Sequence, residues 1–333
     1  MTRDVKVVIN LKQPTGKVGF GYPLVFAGKA TTAKSYTECY KLDDVVKAGF
    51  TAETNTYKAA ERIFAQTNAP SKIAVCATTD KTVTGLATVI TKGWRQLVVA
   101  SAGTEEESTF AEIAAYIETT TDKMYFASVS DLSDVTAAMK DYNRTIVMYY
   151  TDETEVCPEA ALVGETAGKA AGSFTYKNQV LKKLNPLELT TVQIAAAHAK
   201  NCCTFVTTAG DNVVTEGKVL SGEYADIVDS KDYIISQLEY QLQKTLNSSD
   251  KISYDNNGIS LLENVCVNVL QDAYNNNIIA TNAEGTADYA VQFEPRENTK
   301  AEDRKARKYV EGRFNFSLLG AIHEIEVTGT IEI

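Results

Sequence analysis

The chain has 333 residues, 44% of them apolar and 23% charged, with 43 acidic against 33 basic side chains and a net charge of −10. This is an ordinary globular composition, long enough for two domains with cores of their own, and the acidic balance argues against general nucleic-acid binding, which needs a basic surface for the phosphates. Six scattered cysteines without a CxxC, of which only Cys202 and Cys203 are adjacent, read as reduced thiols of a protein folded in a cytoplasm.

The opening MTRDVKVVINLKQ has no apolar stretch of the kind a signal peptide needs, and no run approaches the length of a membrane span, so membrane insertion is not expected. Instead the head reads as a strand. Val5, Val7, Ile9 and Leu11 share one face and Lys6, Asn10 and Lys12 the other. Gln13-Pro14-Thr15-Gly16 signals a turn or linker, followed by Gly19 and Gly21 flanking Phe20. Pro23–Gly28 (PLVFAG) reads as a buried strand, followed by helices over Leu42–Ala48 and Asn55–Ala65.

From there a pattern repeats. Apolar runs at Ile73–Thr78, Leu97–Ser101, Met124–Val129 and Ile146–Tyr150 start 22 to 27 residues apart, with helical stretches between them at Val83–Thr91, Glu105–Glu118 and Leu132–Lys140. The second of these helices is expected to start on a capping box of Thr104 and Glu107. Alternating strands and helices predict a mainly parallel sheet with helices packed on it, an α/β domain over residues 21–185.

Asn185-Pro186-Leu187-Glu188 reads as a boundary and a helix start, the helix running to Lys200. A hairpin follows, Thr204–Thr208 with Asn212–Thr215, and then two amphipathic helices over Lys231–Leu246 and Gly258–Tyr274. Tyr289–Phe293 and Arg313–Leu319 read as strands and Ala301–Tyr309 as a charged helix, giving an α+β domain over residues 186–320. Beyond Gly320 the tail HEIEVTGTIEI alternates again: Ile325, Val327, Ile331 and Ile333 share one face, and Glu324, Glu326 and Glu332 lie opposite. Two apolar-faced end strands need a sheet to join. Either they pair with each other inside one subunit, as their opposite charges allow, or they reach a neighbouring subunit.

Equipment for catalysis is not legible. His198 lies among alanines on a helix, where partial burial is the plainer reading, and His323 opens the tail. No HExxH, GxSxG or paired-histidine spacing occurs, so no catalytic, cofactor or metal residue is assigned. Gly164–Ala170 (GETAGKA) suggests a phosphate loop, but it is one residue short and carries Ala170 where the metal-binding hydroxyl belongs; small residues packing a helix against a neighbour explain it better. The alternative of an α/β nucleotide-binding protein or enzyme rests on that loop alone.

Three stretches, SKDYIISQLEYQLQKTL, DKISYDNNGISLLENVCVNVLQDAYNNNII and EDRKARKYVEGRFNFSLLGAIHEIEVTGTIEI, resemble the C-terminal domain of contractile tail sheath proteins of myophages and R-type phage-tail-like bacteriocins, in their short Gram-positive branch. The likeness extends to PLVFAG, the βα repeats and ALVGETAGKAAGSFTYKNQ, and so spans nearly the whole chain. It implies a structural subunit without enzymatic activity, polymerised as hexameric rings in a helical sleeve around a tail tube above a baseplate. Terminal strands would be exchanged between neighbours, with residues 1–20 and 321–333 as arms, the α/β domain outward and the C-terminal domain toward the tube. It further implies a virion or phage-tail-like particle made in a bacterial cytoplasm and released by lysis. Arg304, Lys305 and Lys308 become candidates for touching the tube, and Gly16, Gly19, Gly21 and Gly320 for hinges.

Overall fold

A computed structural model describes residues 20–101, 107–120 and 122–323. The end strands Val5–Leu11 and Ile325–Ile333, together with Gly16, Gly19 and Thr104, lie outside the described residues.

A six-stranded sheet forms the first layer: β1 (Leu24–Ala27), β2 (Lys34–Cys39), β3 (Ile73–Ala77), β4 (Gln96–Val99), β5 (Met124–Val129) and β6 (Thr145–Tyr149), in the order β2-β3-β1-β4-β5-β6. All pairs are parallel except β2 with β3. Strands covered on both faces should be continuously apolar, and β1 and β3 are buried at every residue. Side chains alternate across the sheet. Val25 packs beneath it with α2 (Asn55–Phe64) and α5 (Glu159–Ala167), whereas Leu24 and Phe26 pack above it with α3 (Thr82–Val89) and α4 (Phe110–Glu118). The short α1 (Leu42–Lys47) leans on α2 and β2. Strand β2 has no apolar run in KSYTEC; its polar edge sequence gave the hydrophobic pattern nothing to mark.

Several expected helices differ. Helix α4 begins at Phe110, not Glu105, because Thr109 and Glu112 form the capping box; Glu107 accepts instead from the backbone N–H groups of Thr82 and Ser108. Leu132–Lys140 is not a helix but two single 3-10 turns, Leu132–Asp134 and Ala137–Met139. Asp131 turns the chain by accepting from the Ser133 N–H at 2.7 Å, and Val135 between the turns is extended. The expected helix at Pro186 starts only at Thr191, as α6 (Thr191–His198), on a capping box of Thr190 and Gln193. Leu187 is extended, donating to the Phe205 carbonyl at 2.8 Å.

The core beneath the sheet continues past residue 186. Cys203 bridges to Met148, and Phe205, Val214, Val219, Ala225 and Val228 join the same cluster as Phe126 and Ile146. Two of these belong to the hairpin β7 (Phe205–Thr208) and β8 (Asp211–Val214), whose two-residue turn puts Ala209 and Gly210 at φ 52° and 94°. Helices α7 (Ala225–Asn247) and α8 (Asn256–Asn275) then pack on each other through Ile234, Leu238, Cys266 and Leu270. Over them lies an antiparallel ribbon of β9 (Tyr289–Phe293) and β10 (Gly312–Phe316).

Between the ribbon strands α9 spans Ala301–Lys305, shorter than the expected Ala301–Tyr309. Arg307 adopts a left-handed φ of 56°, and the Lys308 N–H returns to the Asp303 carbonyl at 2.9 Å, the bonding that closes a helix C-terminus. Among the described residues no helix is long and apolar enough to cross a membrane.

Candidate assembly site

The described chain starts at Phe20, seated on a buried charge cluster that joins the sheet to α7. Arg95, 2% exposed, donates through Nε to Asp229 at 3.2 Å, pairs with Asp232 at 2.9 Å and donates to the Asp122 carbonyl at 2.9 Å. Asp232 also accepts from Arg144 at 3.0 Å, and Asp229 from the Tyr176 hydroxyl. Burial works against the Arg95 charge, but the two carboxylates outweigh it and raise its pKa further. Four charges, of which only Arg144 is partly exposed, and a phenol thus compensate one another, the condition under which a buried ion pair is tolerated.

Phe20 covers this cluster. Its ring lies 3.9 Å from the Arg95 guanidinium and meets Tyr233 edge-on at 5.7 Å. Next to it Gly21 has a φ of 87°, and a Cβ there would stand 2.5 Å from that of Arg95, so this residue is fixed by close approach. Sequence reasoning missed the cluster. Its one signal was Asp229 and Asp232, three residues apart on α7 beside apolar Val228 and Ile234.

At the other end the described chain leaves from the neighbouring part of α7. His323 bonds Thr175 Oγ1 through Nε2 at 2.9 Å, its carbonyl accepts from Lys177 at 3.2 Å, and its ring meets Tyr224 edge-on at 4.7 Å. Segment 175–177 therefore touches both exits, since Tyr176 reaches Asp229 while Thr175 and Lys177 hold His323. Gly320, just before, has nothing within 4 Å of where a Cβ would stand.

A two-stranded ribbon packs on α8. Among the described residues the β9–β10 ribbon has two strands only, so each has a long edge without a strand partner. Phe314, on the ribbon face that β9 turns toward α8, is 44% exposed, and Val310 and Leu319 flank β10 exposed. The last turns of α7 expose Tyr240 and Leu246, at 42% and 52%. Of the expected tube contacts, Lys305 and Lys308 are exposed, whereas Arg304 turns back onto the Arg296 carbonyl and Thr299 Oγ1 at 3.2 and 3.1 Å.

Ligands of open α/β sheets bind where the strand order reverses, at the carboxyl ends of the strands. Here that crevice lies after β1, and the chain fills it with its own groups. Glu107 Oε1 accepts from the Thr82 N–H at the start of α3 at 2.7 Å, and the Gly28 N–H donates to Ser101 Oγ at 2.9 Å. A Cβ on Gly28 would meet the second Glu107 oxygen at 2.2 Å. Nearby, burial pushes the Glu159 carboxyl up to about 7.

Gly164–Ala170 is not a loop before a helix, as phosphate binding requires; its first residues end α5. Gly164 lies against the Ile63 backbone and Gly168 against the Asn68 carbonyl, while Lys169 pairs with Glu165 at 3.0 Å and with Gln179. The helix-packing reading of these small residues holds. His198 is half-buried on α6, its Nε2 2.8 Å from Thr215 Oγ1, and burial lowers its pKa. Among the described residues no group of three or more His, Cys, Asp or Glu side chains is placed to hold a metal.

A filled crevice in the α/β sheet, two chain ends beside one helix and an open-edged ribbon make up an architecture that known structures share. The fold is that of contractile sheath proteins. Over 100% of both chains it matches the anti-feeding prophage helical sheath in its contracted state, with a TM-score of 0.74 at 14% identity. It matches the contracted PVC sheath complex of an extracellular contractile injection system with a TM-score of 0.71 at 12% identity, over 100% of this chain and 99% of that one. The sheath tail protein of Desulfitobacterium hafniense matches with a TM-score of 0.62 at 11% identity, over 95% of this chain and all of that one. No family model matches the sequence, and no curated protein does.

Proposed function

We propose that the chain is the structural subunit of a contractile sheath, without enzymatic activity, in a virion or a phage-tail-like particle. The reading is carried by the likeness of the fold to sheath proteins over the length of the chain. It is supported by the open edges of the β9–β10 ribbon and by the plugged crevice after β1.

In this reading subunits form hexameric rings stacked as a helical sleeve on a tail tube and baseplate. Val5, Val7, Ile9 and Leu11 of one subunit and Ile325, Val327, Ile331 and Ile333 of another add strands to the ribbon of a third, through main-chain bonds that tolerate changes of angle. The linkers that let arms follow a moving neighbour lie around Gly16, Gly19 and Gly21 at the head and at Gly320 in the tail. Residues 21–185 face outward and residues 186–320 face the tube, with Lys305 and Lys308 toward it and Arg304 bracing α9 behind them. The arms keep subunits joined while the sleeve shortens into a more extensively buried state and drives the tube through an envelope. Synthesis in a bacterial cytoplasm with release by lysis completes the picture.

Electron microscopy of the purified, concentrated chain tests this. Hollow sleeves of uniform width are expected, and their loss when residues 324–333 are deleted from a subunit that still folds. Sleeves formed by the truncated chain would overturn the arm mechanism.

A further inference from the structure

The first turn of α8 holds Asn257-Gly258, the one Asn-Gly pair in the chain. With no side chain on Gly258 to hinder it, the amide nitrogen of that residue can approach the side-chain carbon Cγ of Asn257. The fold nevertheless requires glycine here, because a Cβ would stand 1.9 Å from the Ser253 carbonyl oxygen. Asn257 itself is exposed, and among the described residues no partner holds its side-chain amide. The preceding Asn256 is anchored instead, donating to Glu297 at 3.3 Å and accepting from the Arg296 N–H at 2.8 Å.

We propose that Asn257 is a site of spontaneous deamidation, held off in the folded chain by the Asp255 cap. In this reaction the Gly258 nitrogen bonds to Asn257 Cγ, the bond from Cγ to the side-chain nitrogen breaks, and the hydrogen of the Gly258 N–H leaves, through solvent, with the departing ammonia. Water then opens the five-membered imide. The product is aspartate or isoaspartate, the second carrying one extra methylene group in the main chain, and no reactant besides water is needed.

Ring closure requires that Asn257 leave the helical conformation and that the Gly258 nitrogen be free of its hydrogen bond. Asp255 opposes both. It is the N-cap of α8, extended at φ −130° and ψ 179°, and its Oδ1 accepts from the Gly258 N–H at 2.9 Å. That bond satisfies the third residue of the helix, the donor that an N-cap side chain is placed to reach. The Ile259 N–H, donating to the Asp255 carbonyl at 3.0 Å, closes the same turn. Deamidation then proceeds from the frayed turn, and its rate follows the population of that local opening.

The same turn braces the segment around α9. Beside the Asn256 contacts, the Tyr254 hydroxyl donates to the Lys308 carbonyl at 3.2 Å, so an isoaspartate at position 257 lengthens the chain where this segment is held. What that does to a sleeve rests on the proposed function; the modification itself does not.

The test is peptide mapping by mass spectrometry of the unassembled full chain, aged in mildly alkaline buffer, following the mass gain of acid over amide at Asn257. Asp255→Ala is expected to deamidate about fivefold faster than wild type, the change in frayed population that one lost helix cap brings. Asp255→Ser, which still caps, should stay close to wild type, and wild type unfolded in urea should react faster than every folded chain. Equal rates in folded and unfolded wild type, equal rates in wild type and Asp255→Ala, or an Asp255→Ser rate matching that of Asp255→Ala each overturn the proposal. Because these rates are read on unassembled protein, a failure to form sleeves counts against the sheath reading alone.

Discussion

Arg95 and Asp232 face each other at 2.9 Å across the junction between the parallel sheet and α7, with Phe20 closing the site from above. The first described residue of the chain and the helix that carries both exits are thereby tied to one buried charge cluster.

Asp232→Ala is expected to destabilise the subunit by about 3–5 kcal/mol, because Arg144 loses its carboxylate and Arg95 keeps Asp229 alone. Urea unfolding of the monomer measures it. A double replacement of Arg95 and Asp232 by apolar residues of similar size should cost less than the single change.

Glu159 sets a pH dependence of stability. Its carboxyl, 4% exposed, is pushed up to about 7 by burial, against an ordinary value of 4.5. The folded protein therefore holds this proton more tightly than the unfolded chain. The contribution is fully present below about pH 4.5 and is lost as pH rises through about 7, a fall on the order of 3 kcal/mol. Glu159→Gln should remove this fall, raising the melting temperature over wild type at pH 8 more than at pH 5.

Gly164→Ala should cost about 1–3 kcal/mol, since the added Cβ would stand 2.6 Å from the Ile63 carbonyl oxygen. Calorimetry with ATP is expected to give no saturable heat with wild type or Lys169→Ala, whose lysine already pairs with Glu165.

Arg307→Gly should stabilise by about 0.5–1 kcal/mol, because the left-handed φ of 56° at the end of α9 costs a side chain but not glycine. A rise in melting temperature with unchanged assembly is the expected result.

Phe314→Asp tests the ribbon. With 44% of the residue already exposed, the folded monomer should lose at most about 1 kcal/mol, whereas an apolar strand added at the β10 edge would meet the new carboxylate as its cross-strand neighbour and assembly should fail. Circular dichroism reads the first and electron microscopy the second.

The sequence by itself determined the elements whose physics is local. Runs such as IAVCA and IVMYY could only be buried strands, the spacing of Leu238, Leu242, Cys266 and Val269 could only be amphipathic helices, and the alternation of runs with helices required a parallel sheet. Polar edge strand β2 escaped because its pairing is dictated by β3 rather than by its own residues. The start of α4 moved because the two capping signals at Thr104 and Thr109 are equivalent in sequence, and only the folded chain assigns Glu107 to the Thr82 N–H. Tertiary structure alone decided that Arg95, Asp229, Asp232 and Arg144, up to 137 residues apart, compensate one another, and that His323 is enclosed with an unmatched nitrogen. Burial and electrostatic compensation depend on distances between residues remote in the chain, and no periodicity records them.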